Sequence, residues 1–238
     1  MENKVKINIA EKQLYYKGEV ILKYTIKYPE ITQSQYNIGK QRFNHINRQE
    51  ALKLKEFAEG ELYNQAKETY DYNKQQGYPI MVYELYRETT VTYNNDKLIS
   101  LYFDDYTFTG GAHGSTVRSS QTWDLEHAYQ IPLQAFFRKN PNYQIDIVKE
   151  INSRIAKQIE AGTGAYFPDY CQLVLETINF DNYYLTQKGI IIYFQQYNIA
   201  PYSSGLPEFL IKIWNKLKGY LSIERMAWAI RLFQVNYP

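Results

Sequence analysis

The sequence predicts an α+β fold in which antiparallel sheets of hairpins pack against two main helices, arranged as two fused subdomains. Three observations carry this. Runs of alternating apolar and polar residues come in pairs around short turn sequences. Two longer runs place apolar residues at helical spacing. The strands do not alternate regularly with helices, as a parallel α/β sheet would require.

The first pair lies between Val5 and Ile31. Val5, Ile7 and Ile9 alternate with polar residues, Lys17-Gly18-Glu19 offers a turn, and Val20 to Tyr28 resumes the strand pattern, with Pro29 closing it. The spacing then predicts a helix opening at Asn47, a capping residue with Glu50 three positions on. Leu54, Phe57, Ala58, Leu62, Ala66 and Tyr70 form its apolar stripe, and Gly77 and Pro79 stop it. The mixed charges opposite, Lys53, Lys55, Glu56, Glu59, Lys67 and Glu68, read as a solvated face.

A second hairpin runs from Ile80 to Tyr93, turns at Asn94-Asn95-Asp96 and returns from Leu98 to Phe108. After the glycine-rich stretch Gly110-Gly111-Ala112-His113-Gly114, Ser115 to Leu125 forms another strand containing Trp123. Asn140-Pro141 opens the second helix, with Ile145, Val148, Ile151, Ile155 and Ile159 on its buried face and Gly162 and Gly164 at its end. Strands follow at Tyr183 to Leu185, Ile190 to Phe194 and Phe209 to Ile213, and a short helix carries Met226, Ile230 and Phe233. The passage from Leu125 to Leu133 is a natural junction, which divides the chain into subdomains at 1–126 and 127–238.

Composition narrows the function classes. Apolar residues make up 45% and charged residues 22% of the 238-residue chain, the balance of a folded globular domain. A formal net charge of +2, without a long basic run, argues against nucleic acid as a partner. No apolar run approaches a membrane span and the first residues lack a signal-peptide pattern, so no membrane insertion is expected and the chain as written reads as cytoplasmic. Cys171 has no second thiol to pair with and reads as a small apolar filler. The 25 tyrosines supply rings with hydrogen-bonding tips, which suit a sugar- or protein-binding surface and equally a plain sheet face.

Two loops stand out: Gly110-Gly111-Ala112-His113-Gly114, and Tyr197-Asn198-Ile199-Ala200-Pro201-Tyr202-Ser203-Ser204-Gly205. With Asp124, Leu133 to Phe136, the helix from Ile145 to Ile159 and the strand Tyr183 to Leu185 between them, they resemble the paired bacterial domains of unknown function DUF4163 and DUF3298, over roughly residues 29 to 213. One departure falls at Leu125 to Ile131, where Glu126-His127-Ala128-Tyr129 replaces the family's glycine turn; the absent export signal is another. The resemblance implies an envelope-associated or extracellular accessory domain. Such modules occur in the ectodomain of a lysozyme-sensing anti-sigma factor and beside the catalytic domain of a peptidoglycan deacetylase, and in neither are they the recognised catalyst.

The candidate ligand-binding residues are His113, Tyr197 and Tyr202, with Gly110, Gly111, Gly114, Pro201 and Gly205 shaping the loops. His113 can contact a ligand, act as a general base with Ser115 two positions on, or hold its loop closed through backbone hydrogen bonds. Pro201 to Pro207 reads as a rigid recognition loop presenting Tyr202, or as a wide connection between strands. Adjacent Asp104 and Asp105 face opposite sides of a strand and read as ordinary strand-end charges, not a glycosidase pair. No metal site is expected from His45, His113 and His127, no cofactor is implied, and the glycine loop lacks the Gly-Lys-Ser/Thr ending of a phosphate loop.

The leading expectation is a non-catalytic module that binds a peptidoglycan fragment or a lysozyme-like protein. The alternatives are a glycan hydrolase or deacetylase-type enzyme using His113, and an intracellular interaction protein. Oligomeric state stays open.

Overall fold

The computed structural model describes residues 2–137 and 140–212. The anticipated helix around Met226, Ile230 and Phe233, and the last residue of the anticipated Phe209 to Ile213 strand, lie outside them.

Strands β1 (Lys4–Tyr16) and β2 (Glu19–Gln33) pair antiparallel along their whole length. Lys17 and Gly18 both take positive φ, 49° and 85°, the conformation that matches the twist of the flanking strands. Pro29 does not close β2 but pairs with Ile7 inside it. β2 meets its other neighbour, β3, only from Leu22 to Ile26, so the proline lies where a single ladder remains and its missing donor breaks no second one.

Helix α1 (Asn37–Phe57) begins well before Asn47. Asn47 is no cap: it is buried mid-helix and its Nδ2 donates to the Phe43 carbonyl at 2.9 Å. The early turns escaped the periodicity because their buried positions are Gly39, Phe43 and Asn47, which do not read as an apolar stripe. Gly39 is there for a close approach, since a Cβ on it would fall 2.0 Å from the Leu125 carbonyl oxygen. A π-helical turn, Ala58–Leu62, leads into α2 (Tyr63–Gln76), which Gly77 ends as anticipated. Ala58, Leu62, Ala66 and Tyr70 are buried in one line, whereas Phe57 is exposed.

After this crossover comes β3 (Tyr83–Asn94), starting later than the Ile80 expected, with β4 (Leu98–Phe108) and β5 (Ser115–Asp124) following antiparallel. The Asn95 side chain closes the β3–β4 turn by accepting the N–H groups of Lys97 and Leu98. The short strand β6 (Tyr129–Gln130) completes a six-stranded sheet in sequence order. In the turn before it, which has no glycine, buried Asp124 accepts the His127 N–H and meets its ring Nδ1, both at 2.9 Å, and Ala128 takes φ 58°.

In α3 (Tyr143–Glu160) the buried face is Ile147, Ile151 and Ile155. Ile145 lies two residues from Ile147, on the far side of the helix, and is 54% exposed; Ile159, in the last turn, is also exposed. Helix α4 (Tyr170–Thr177), which the pattern did not reveal, carries Cys171 at the surface and not as a buried filler. Strands β7 (Tyr183–Thr186), β8 (Gly189–Tyr193) and β9 (Glu208–Ile211) form a second antiparallel sheet.

The α+β expectation therefore holds, with the large sheet as the middle layer. One face packs on α1, where Phe43 meets Trp123 edge to face with ring centroids 5.7 Å apart. The other receives the small sheet: Tyr102 meets Tyr184 at 5.0 Å, the Leu185 N–H donates to Ser100 Oγ, and Ser120 Oγ donates to the Tyr183 carbonyl. Leu98 joins Ile131, Leu133, Ile151 and Phe209 in the core beneath that sheet.

Candidate ligand-binding site

The glycine loop bridges β4 and β5. Gly110 and Gly111 take φ of 98° and 92°, which side chains disfavour, and Gly114 is packed so closely that a Cβ would sit 2.5 Å from the Tyr106 ring. His113 is exposed, and its Nδ1 lies 3.0 Å from the Gly114 carbonyl oxygen. A carbonyl only accepts, so Nδ1 carries the hydrogen and, in the neutral ring, Nε2 keeps its lone pair. His113 thus does bond backbone, as one reading of the sequence had it, while a ring face and Nε2 take no part in that bond.

That face is met from across the molecule. Tyr202, in a single helical turn with Ser203 and Ser204, stacks on His113 with centroids 3.9 Å apart and planes 18° from parallel. Tyr197 follows in the row, 5.9 Å from Tyr202. Tyr197 is 54% exposed and holds φ 65° within the Gln195 to Asn198 turn, an uncommon conformation for a bulky residue and one that concentrates at functional positions. All three ring residues singled out in the sequence are therefore neighbours. Pro201 leads into the Tyr202 turn and Gly205, at φ 66°, leaves it, its N–H donating to the Tyr202 carbonyl.

The two loops meet because the tyrosine loop is fastened to the edge of β5. The Arg118 N–H donates to Gln195 Oε1 at 2.9 Å, and Gln195 Nε2 donates to the Arg118 carbonyl at 2.7 Å. The Thr116 N–H donates to Gln196 Oε1, also at 2.9 Å. At the other end of the loop, Glu208 at the start of β9 pairs with the Arg118 guanidinium.

Arg118 is buried, stacks 3.7 Å over Tyr102 and forks onto both oxygens of Asp104 at 2.6 and 2.7 Å. Burial alone would lower its pKa, but the Asp104 hydrogen bonds and the Asp104 and Glu208 charges outweigh it and raise it. Asp105 forks onto Arg87 on the opposite face. The two aspartates do face opposite sides, but they are half-buried partners of buried arginines and not strand-end charges.

Gln195, Gln196, Arg118, Glu208 and Tyr106 were not singled out in the sequence. The β4–β5 register, which sets Asp104 opposite Arg118, is the one signal that could have found the ion pair. The glutamine clamps leave none, being contacts between distant segments. Among the described residues no group of three or more His, Cys, Asp or Glu is placed to hold a metal ion. No helix among them is long and apolar enough to cross a membrane.

Two family models match separate stretches of the chain. Residues 134–213 match the DUF3298 family, described as a protein of unknown function. The preceding residues 16–116 match the family model described as deacetylase PdaC. His113 lies in the stretch matched by the PdaC model and Tyr197 and Tyr202 in the stretch matched by DUF3298, so the ring row draws on both. Two solved structures share the fold. A DUF3298 family member from Bacteroides fragilis NCTC 9343 has 17% identity, a TM-score of 0.66, and 90% of this chain against 91% of that one. A DUF3298 family protein from Pseudomonas aeruginosa PAO1 has 18% identity and a TM-score of 0.57, with 91% and 93% covered. No curated protein matches the chain.

Proposed function

We propose that this chain is a cell-envelope binding module that recognises cell-wall glycan, with Tyr202, flanked by His113 and Tyr197, as the platform. The observation that carries this is the row of three rings at 3.9 and 5.9 Å, assembled from two loops and partly open to solvent. The exposed rings of the row, Tyr197 and His113, offer their uncovered faces to the C–H faces of sugars, while Nε2 of His113 and the tyrosine hydroxyls offer hydrogen bonds to hydroxyl and acetamido groups. The deacetylase description of the first matched family supports an N-acetylated polymer as the ligand class.

The geometry favours binding over His113-dependent hydrolysis. The Nδ1 partner is a backbone carbonyl, not the carboxylate that orients a catalytic imidazole and stabilises its charge. Co-sedimentation with insoluble peptidoglycan tests the proposal. The parent protein is expected in the pellet, Tyr202→Ala and Tyr197→Ala in the supernatant. Parent protein left in the supernatant, or turnover of the polymer that His113→Ala abolishes, overturns it. Saturable binding to lysozyme in place of glycan would move the partner to a wall-degrading protein.

A further inference from the structure

The backbone of β5 at Thr116 and Arg118 would be an open sheet edge if nothing met it. β4 occupies one side, and β6 reaches only Trp123 and Asp124 on the other. Residues two apart in a strand direct their peptide groups to the same edge, and both of these edge N–H groups are taken by side-chain amides, Gln196 at Thr116 and Gln195 at Arg118. A carboxamide has the donor and acceptor of a peptide group. By also donating to the Arg118 carbonyl, Gln195 stands in for the N–H and C=O of a residue on a neighbouring strand, in a ring of two hydrogen bonds.

We propose that Gln195 is the positioning residue of the ring row: its carboxamide sets the register between β5 and the tyrosine loop, and so brings Tyr202 into stacking distance of His113. Gln195 lies two residues before Tyr197, and the Arg118 edge it grips lies a few residues beyond His113. The loop is fastened at both ends to one residue, to the Arg118 backbone by Gln195 and to the Arg118 guanidinium by Glu208. The ion pair does not fix register, because it is a charge contact on a long side chain, and Gln196 adds one bond at Thr116. The two-bond ring fixes it.

The inference rests on the ring row as the glycan site, but its primary test needs no ligand. A ring stacked on His113 shields the imidazole C–H protons, so their NMR shifts in the full chain report the stack. Tyr202→Ala supplies the unstacked reference. Gln195→Leu, which keeps the bulk and removes both hydrogen bonds, is expected to move the His113 signals to that reference and to weaken binding to soluble peptidoglycan fragments about tenfold.

Gln195→Glu keeps the acceptor for the Arg118 N–H and sets a carboxylate against the Arg118 carbonyl. It is expected to shift His113 in the same direction and serves where Gln195→Leu does not fold. Parent-like His113 signals in a folded Gln195 variant, whatever its melting temperature, overturn the assignment. Shifts that move as stated in a protein that binds no glycan leave the positioning role standing and remove the proposed function instead.

Discussion

Arg118 and Asp104 face each other across β4 and β5, the guanidinium forked onto both carboxylate oxygens at 2.6 and 2.7 Å. Removing one member of a buried pair leaves the other desolvated and uncompensated. Arg118→Ala is therefore expected to lower unfolding free energy by about 3–5 kcal/mol in urea titrations. Arg118→Lys recovers only part of this, because an ammonium lacks the fork and the stacking plane over Tyr102. An Arg118→Lys variant as stable as the parent would show that the fork contributes nothing.

Gly39 gives a prediction opposite in sign to helix propensity. Alanine is the better helix former by about 1 kcal/mol, yet its Cβ at this position would lie 2.0 Å from the Leu125 carbonyl oxygen. Backbone cannot rotate away as a side-chain tip can. Gly39→Ala is expected to destabilise by about 3 kcal/mol and Gly60→Ala, with open space around it, to be far milder, as thermal melts of the two would show.

The Glu59 carboxyl is held below its usual pKa by hydrogen bonds from Lys12 and Tyr24, which outweigh its desolvation. Because the folded value is the lower one, the stability it contributes is fully present above the unfolded value near about 4.3. It is lost as pH falls through the folded value. Glu59→Gln should reduce stability near neutrality and flatten the acid limb of the stability profile. Denaturation curves for both proteins across that range check it, and parallel acid limbs would count against it.

Gly114→Ala tests the seat of the glycine loop. The added methyl would meet the Tyr106 ring at 2.5 Å and the Thr107 carbonyl oxygen at 2.6 Å, so the loop must lift. The expected outcome is a cost of about 1–3 kcal/mol with loss of the His113–Tyr202 stack, read from the shifts of the His113 ring protons.

Strand pairs with strong local signals were the most legible parts of the fold. The β3–β4 hairpin, the helix stop at Gly77 and the three strands of the small sheet follow from alternation and turn chemistry. Helix α1 was legible only in its second half, because close packing at Gly39 and a buried Asn47 hide the pattern that marks a core-facing helix. For α3 the isoleucines are frequent enough to draw two stripes: Ile151 and Ile155 are buried and Val148 packs against the core as expected, while Ile147 takes the place given to Ile145 and Ile159.

For the candidate site, the motif loops led to His113, Tyr197 and Tyr202, but not to their mutual contact or to what enforces it. The Gln195 and Gln196 clamps and the Arg118–Glu208 pair join segments far apart in the chain, and no local periodicity records them.

The most direct test of the central claim is a calorimetric titration of the protein with soluble peptidoglycan fragments, run on the parent, Tyr202→Ala and His113→Ala, with lysozyme as a parallel titrant. A glycan-binding ring row predicts saturable heat with the fragments in the parent, and affinity about fivefold or more weaker in Tyr202→Ala, since one stacked ring contributes on the order of 1 kcal/mol or more. No heat with any fragment, or affinity unchanged in both variants, would contradict it.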